Sequence, residues 1–136
     1  MTEDEFRRLA LALPGAVEGA HMAHPDFRVG GKIFASLSGK DPVAGMVKLP
    51  LDVQAAVLAE SPAVYFPASG AWGRGGATMV RLAGARVPSV RRALSAAYES
   101  AMKAAAERGT GARRRGVSVT RKRPARGRPR PPRPGR

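Results

Sequence analysis

The chain has 136 residues, about the length of one domain, and it carries a formal net charge of +14 without any cysteine. The lack of cysteine excludes disulfide bonds, thiolate metal sites and a cysteine nucleophile. No apolar run approaches the roughly 20 residues that span a bilayer, and the first residues are acidic. We therefore expect a soluble cytoplasmic protein with no membrane anchor and no signal or transit peptide.

A helix is predicted at the start of the chain. Thr2 and Glu5 form a T-x-x-E capping box, in which side chains bond the free backbone N–H groups of a helix start. Apolar residues then recur with helical spacing, and Pro14-Gly15 ends the pattern. The helix should cover about residues 3–13.

The next part of the chain has the pattern of an antiparallel sheet. Gly30-Gly31 separates two β-type runs within residues 26–38, which indicates a hairpin with a tight turn. A strand at residues 17–23 is left open. The further predicted elements are a strand at 44–49, a helix from Pro50 to about 61, strands at 64–66 and 77–82, and a helix from Pro88. This order indicates an α+β fold with an antiparallel sheet and helices packed on one face.

The charge is unevenly distributed along the chain. Residues 1–108 contain 13 Lys and Arg and all ten acidic residues, for a net charge of +3. Residues 109–136 contain 11 Lys and Arg, five Gly, five Pro, no acidic residue and no aromatic residue. Such a segment has too little apolar area to offset its ordering entropy, so we expect a disordered basic tail after a folded domain at 1–108. Its charge implies a polyanionic partner, most simply nucleic acid.

The folded part resembles a known family. The chain is similar to the MmcQ/YjbR family in a series of segments that follow the family order: Leu13-Pro14, Glu18-Gly19, His21, His24-Pro25, Phe27, Val29–Phe34, Val47–Leu49, Trp72-Gly73 and Thr78-x-x-Arg81-Leu82. The resemblance covers about residues 4–106 and implies a CyaY-like (frataxin-like) fold, described as a double-wing DNA-binding domain. Two features depart from the family pattern, namely Ala77, where a second Trp often stands, and the basic tail.

The two histidines of the chain, His21 and His24, have H-x-x-H spacing. Only Glu18 and Asp26 supply carboxylates nearby, and the segment has no helical pattern to set a metal geometry. We interpret both histidines as structural, with contact to a small ligand as the alternative. No metal or other cofactor is expected.

A glycine-rich segment surrounds the only tryptophan. Residues 70–76 contain four glycines around Trp72 and Arg74. Backbone N–H groups in such a loop can bind an anion, Trp72 can stack on a base, and Arg74 can meet a phosphate. No Gly-Lys-Ser/Thr follows, so the segment is not a nucleotide P-loop. We favour a wing-like hairpin loop whose Trp72 covers the core, and contact with a phosphate or nucleic acid is the alternative.

Four cations of the domain fall on predicted strands or hairpin tips, namely Lys32, Lys48, Arg74 and Arg81. They either form one basic face that contacts nucleic acid or are simply solvated charges.

The tail contains the segment Arg126-Gly127-Arg128-Pro129, which resembles the core of an AT-hook. That resemblance implies an extended Arg-Gly-Arg unit in the narrow minor groove of A·T-rich DNA, a groove whose negative potential attracts arginine. Further phosphate contacts are expected from the surrounding cations Arg121, Lys122, Arg123 and Arg130 and from the cluster Arg113, Arg114 and Arg115. Binding of any polyanion without sequence preference is the alternative.

Nucleophilic catalysis has little support, because the sequence has no cysteine and no G-x-S-x-G motif. We therefore expect a non-enzymatic, nucleoid-associated DNA-binding protein, with RNA as a further partner that the sequence leaves open. The alternative is a domain that binds a small ligand or a protein and that the tail only localises to nucleic acid.

Overall fold

A computed structural model of the chain describes residues 1–21, 24–38 and 42–114. In these ranges the elements follow one another as α1 (Glu3–Leu11), β1 (Val17–His21), β2 (His24–Val29), β3 (Lys32–Leu37), β4 (Ala44–Lys48), α2 (Leu51–Glu60), β5 (Tyr65–Pro67), α3 (Gly70–Arg74), β6 (Ala77–Arg81), a 3-10 turn (Leu82–Gly84) and α4 (Val87–Arg114). The chain divides into two units, Met1–Ala105 and Ala106–Arg136, and the sheet and the core lie in the first.

The start of α1 confirms the predicted capping box. The Thr2 hydroxyl accepts a hydrogen bond from the Glu5 N–H at 3.1 Å, and the Glu5 carboxylate accepts one from the Thr2 N–H at 2.8 Å. The bond from the Thr2 backbone lowers the pKa of Glu5. The helix ends at Leu11, two residues earlier than predicted, because the Leu13 N–H bonds the carbonyl of Ala10, three residues back, at 3.3 Å and so tightens the last turn.

The six strands form one antiparallel sheet in the order β1-β2-β3-β4-β6-β5. The predicted hairpin is present, since Gly30 and Gly31 join β2 to β3 with φ values of +58° and +80°. The strand left open at 17–23 is also present, as β1. Together with the helices packed on the sheet, this confirms the predicted α+β fold class.

The hydrophobic core lies on the side of the sheet that the helices cover. Phe6 of α1 packs so closely over Gly45 of β4 that a Cβ there would lie 2.6 Å from its ring. Tyr98 of α4 meets Phe34 of β3 edge-on, with ring centroids 5.7 Å apart. Further buried core residues come from both layers: Ala10, Phe27, Val29, Leu37, Val47, Val80, Val90, Leu94, Ala97 and Ala101.

Two segments differ from the prediction. Residues Gly70–Arg74 form the short helix α3 and not a hairpin loop. Helix α4 continues to Arg114, past Gly109, where the tail was predicted to begin. The Ala-rich run before Glu107 and Arg108 has high helix propensity, which favours this continuation. None of the helices in the described part combines the length and the apolar composition that a membrane span requires.

Candidate nucleic-acid interface and a neighbouring cavity

Strand register places Lys48 and Arg81 on the side of the sheet that faces away from the helices. Met46 of β4 pairs with Met79 of β6, which also pairs with Phe66 of β5. Because side chains alternate along a strand, Lys48 follows Met46 and Arg81 follows Met79 on the same side. Both cations are exposed. We call this side of β4, β5 and β6 the open face.

Arg81 is held in place by an aromatic ring. Its guanidinium carbon lies 4.1 Å from the centroid of the Phe66 ring, and its Nη1 donates to the Ala63 carbonyl at 3.4 Å. This is the geometry of a cation–π contact, which fixes the side chain without neutralising its charge. The open face therefore presents a positioned cation beside an aromatic side chain.

A third cation on this side, Arg28 of β2, has a carboxylate partner. Its Nε and Nη2 donate to the two carboxylate oxygens of Asp26 at 2.8 and 3.0 Å, and the Asp26 side chain is only 2% exposed. The hydrogen bond to Asp26 raises the pKa of Arg28. A Cβ at Gly19 of β1 would lie 3.0 Å from Asp26 Oδ1 and 3.2 Å from Arg28 Nε, so this glycine gives the pair its room. The sequence signal was the D-x-R spacing, which places both side chains on one side of a strand.

The histidines lie at the far end of the β1–β2 hairpin, where His21 pairs with His24 across the ladder. The His24 side chain is half-buried, and its Nδ1 is buried without a hydrogen-bond partner. The structural role of both histidines, with contact to a small ligand as the alternative, stays a prediction. Across the described ranges, no three His, Asp or Glu side chains come close enough together to hold a metal ion.

The interpretation that Trp72 covers the core is wrong, because this side chain is 53% exposed. The reason lies in its neighbour. A Cβ at Gly73 would lie 1.8 Å from the Ala68 carbonyl oxygen, so α3 lies with Gly73 against the chain and turns Trp72 outward. Arg74 is also exposed on this helix.

A buried glutamine holds α3 in position. Gln54 of α2 donates from Nε2 to the Gly73 carbonyl at 2.9 Å and to the Thr78 hydroxyl at 3.1 Å. The Thr78 hydroxyl in turn donates to the Gly76 carbonyl at 2.9 Å. Gln54 was not predicted from the sequence, although a lone amide within the apolar run of α2 was the available signal.

Lys32 and Lys48 meet at a cavity of about 300 Å³ between α4 and the segment that leads into α2. The lining is otherwise uncharged and comprises Ile33, Leu49, Pro50, Leu51, Gly75, Ala97, Ser100, Ala101 and Ala104. Neither Trp72 nor His24 belongs to it. The four predicted domain cations therefore do not form one face. The side chains of Lys48 and Arg81 share the open face, Lys32 lies at the cavity on the helix-covered side, and Arg74 lies on α3.

The cations predicted in the tail fall beyond what the structure describes. The side chains of Arg113 and Arg114 and all residues from Arg115 onward, including the AT-hook-like segment, lie outside the described part of the chain.

Comparison with known proteins concerns the folded part. No curated protein matches the chain. The crystal structure of Deinococcus radiodurans protein DR2400, which contains a DUF419 domain, is similar to it with a TM-score of 0.61. The two are 18% identical, and the similarity covers 71% of this chain and 75% of that one, which supports the fold alone. The model of the YjbR family matches residues 11–100, which include every strand of the sheet, and the chain therefore belongs to the YjbR family.

Proposed function

We propose that this protein binds duplex DNA without catalysing a reaction, and that its tail supplies most of the affinity. The observation that carries the proposal is the separation of charge, with +11 on residues 109–136 and +3 on the preceding 108 residues. Cations that neutralise phosphates release condensed counterions, which is the main source of sequence-independent DNA affinity. A segment with 11 Lys and Arg and no carboxylate suits that role.

Within the tail, the segment Arg126-Gly127-Arg128-Pro129 would give the proposed DNA binding a preference for A·T-rich sequences. Glycine lets the backbone approach the floor of a narrow groove, and arginine is attracted by the enhanced negative potential of A·T tracts. The neighbouring Arg121, Lys122, Arg123 and Arg130 would contact phosphates on either side.

The folded domain would contribute fewer cations to DNA binding than the tail does. Lys48 and Arg81 project from the open face, and the ring of Phe66 lies beside Arg81. Arg28 adds little, because Asp26 compensates its charge at 2.8 Å. We therefore assign the domain a positioning role on DNA, consistent with a nucleoid-associated protein in the cytoplasm.

A duplex-binding experiment tests the main claim. Fluorescence anisotropy would compare the full chain with residues 1–108 on A·T-rich and G·C-rich duplexes. We expect the shortened chain to lose most of its affinity while its circular dichroism spectrum still shows a folded domain. If residues 1–108 bind as tightly as the full chain, the tail does not supply the affinity.

The same duplexes test the minor-groove assignment in the full chain. R126A/R128A should lose the preference for A·T-rich DNA and keep part of its general affinity. R133A/R136A is the matched control, because it removes two tail arginines outside the hook and should retain the preference. Equal binding of the unaltered chain to both duplexes would refute the hook. Competition with structured RNA measures whether RNA is the preferred partner.

The alternative is a domain that binds another molecule while the tail only localises it. In this alternative the open face does not contact DNA. A K48Q/R81Q variant of the full chain should then bind DNA as tightly as the unaltered protein. The DNA-positioning role instead predicts weaker binding for that variant.

A further inference from the structure

A cavity lies on the helix-covered side of the sheet, and Lys32 is among the residues that line it. We propose that this cavity binds a small organic anion, a molecule with one carboxylate, sulfonate or phosphate group and an apolar body. Its volume of about 300 Å³ is at the lower end of the range of small-molecule sites, which restricts the ligand to metabolite size. This site goes beyond the proposed DNA binding and does not depend on it.

The walls of the cavity are fixed by close backbone contacts. The Leu49 N–H donates to the Gly76 carbonyl at 2.9 Å, and a Cβ at Gly76 would lie 2.1 Å from the Leu49 oxygen. On the other wall, α4 comes so close to the β2–β3 turn that a Cβ at Gly30 would lie 2.8 Å from the Ala105 Cβ. The space between these contacts remains open, because α4 presents only Ala97, Ser100, Ala101 and Ala104 to it.

The lining favours an apolar body. Leu49, Ala97 and Ala101 are core residues, and each is at most 8% exposed. They provide an apolar floor, and the amine of Lys32 supplies a charge on the same side of the sheet. Burial of an apolar group against such a floor is favourable and adds to the attraction of an anion.

The charges of the lining select an anion. No carboxylate lines the cavity, and neither lysine forms an ion pair with any residue that the structure describes. Lys32 pairs with the core residue Val29, so its side chain lies on the helix-covered side and supplies the amine that faces the cavity, whereas Lys48 lines the cavity but directs its side chain to the open face. An amine without a carboxylate partner at a concave, partly apolar site creates a positive potential that favours an anion. Helix α2 also starts beside the cavity at Leu51, and the free N–H groups of its first turn carry a partial positive charge, which Asp52 in the same turn partly offsets.

NMR titration of the isotope-labelled full chain tests the site. The probes are 2-naphthoate and its uncharged amide, 2-naphthamide, at an ionic strength of about 0.15 M, which limits loose binding to exposed charges. We expect naphthoate to shift the backbone amide signals of residues 32–33, 48–49, 51 and 97–104. Naphthamide should bind about tenfold more weakly or worse, because it lacks the charge that the Lys32 amine recognises.

Two variants remove different parts of the site. K32Q removes one amine and should weaken naphthoate binding about tenfold, whereas A104F fills the cavity and should abolish it. The control for K32Q is K103Q, which removes an exposed lysine of α4. The control for A104F is A55F, which enlarges an exposed alanine of α2. Both controls should bind naphthoate as the unaltered chain does.

The results that support the site differ from those that overturn it. Weaker binding of naphthoate to K32Q and A104F, with unchanged binding to the two controls, supports the site. No binding, equal binding of both probes, shifts confined to residues 109–136, or unchanged binding in K32Q would each overturn it. Because K32Q replaces only a half-buried surface lysine, its result stands even if A104F fails to fold.

Discussion

At the scale of single residues, Tyr65 shows how burial changes the chemistry of a side chain. Tyr65 is 1% exposed, and its hydroxyl lies 2.7 Å from that of Ser89 on α4. Burial raises the pKa of Tyr65 above its usual 10.0, and the bond to Ser89 only partly opposes this effect. The folded protein therefore keeps this proton at a pH at which the unfolded chain releases it, so Tyr65 contributes stability below pH 10.0 that is lost as the pH rises.

The raised pKa predicts that the difference in unfolding free energy between the unaltered protein and Y65F depends on pH. At neutral pH the variant should have an unfolding free energy about 0.5–1.5 kcal/mol lower, because it lacks the hydroxyl contact with Ser89. The difference should shrink as the pH rises through 10.0, because the unfolded form of the unaltered chain is then stabilised by releasing the Tyr65 proton, which the folded form still holds and which Y65F lacks. Urea unfolding over a pH series measures it, and Y98F, which removes the hydroxyl that bonds the Pro14 carbonyl, is the control. A difference that stays constant with pH would contradict the prediction.

At the scale of elements, the segment between α3 and β6 depends on a glycine that no other residue can replace. Gly76 has a φ of +114°, and an added Cβ would lie 2.1 Å from a backbone oxygen, which cannot move aside as a flexible side chain can. Gly70 at the other end of α3 also has a positive φ, +68°, but open space around it. A side chain at position 70 would therefore cause backbone strain alone, whereas a side chain at position 76 would cause backbone strain and a steric clash.

We expect G76A to lose more than about 2 kcal/mol of unfolding free energy, and G70A only about 1 kcal/mol. Urea unfolding of both variants measures these values. Equal losses would show that the Leu49 carbonyl does not restrict position 76.

The elements also show what the sequence could predict. The capping box of α1 and the Gly30-Gly31 hairpin are local signals, in which the residues that carry the pattern also make the bonds. Helix α3 was missed because its position depends on Gln54 and Gly73, which meet across 19 residues of sequence. The cavity was missed for the same reason, since Lys32 and Ala101 become neighbours only when α4 packs on the sheet.

At the scale of the whole molecule, the division of charge between domain and tail predicts how binding responds to salt. If about six tail cations contact phosphates, the logarithm of the binding constant should fall against the logarithm of the salt concentration with a slope near −5. Residues 1–108, with a net charge of +3, should show a much shallower slope. Titrations of both chains over a series of salt concentrations measure the two slopes, and equal slopes would place the phosphate contacts in the domain.

The order of the strands leaves the sheet with two unequal edges. Strand β5 has only three residues and ends in Pro67, which cannot donate a backbone hydrogen bond, so this edge is a poor template for another strand. Strand β1 at the opposite edge is longer, contains no proline and exposes 58% of Val17. Edge-to-edge pairing with another chain, whether in aggregation or in assembly, would therefore begin at β1, and a lysine in place of Val17 would be the simplest protection against it.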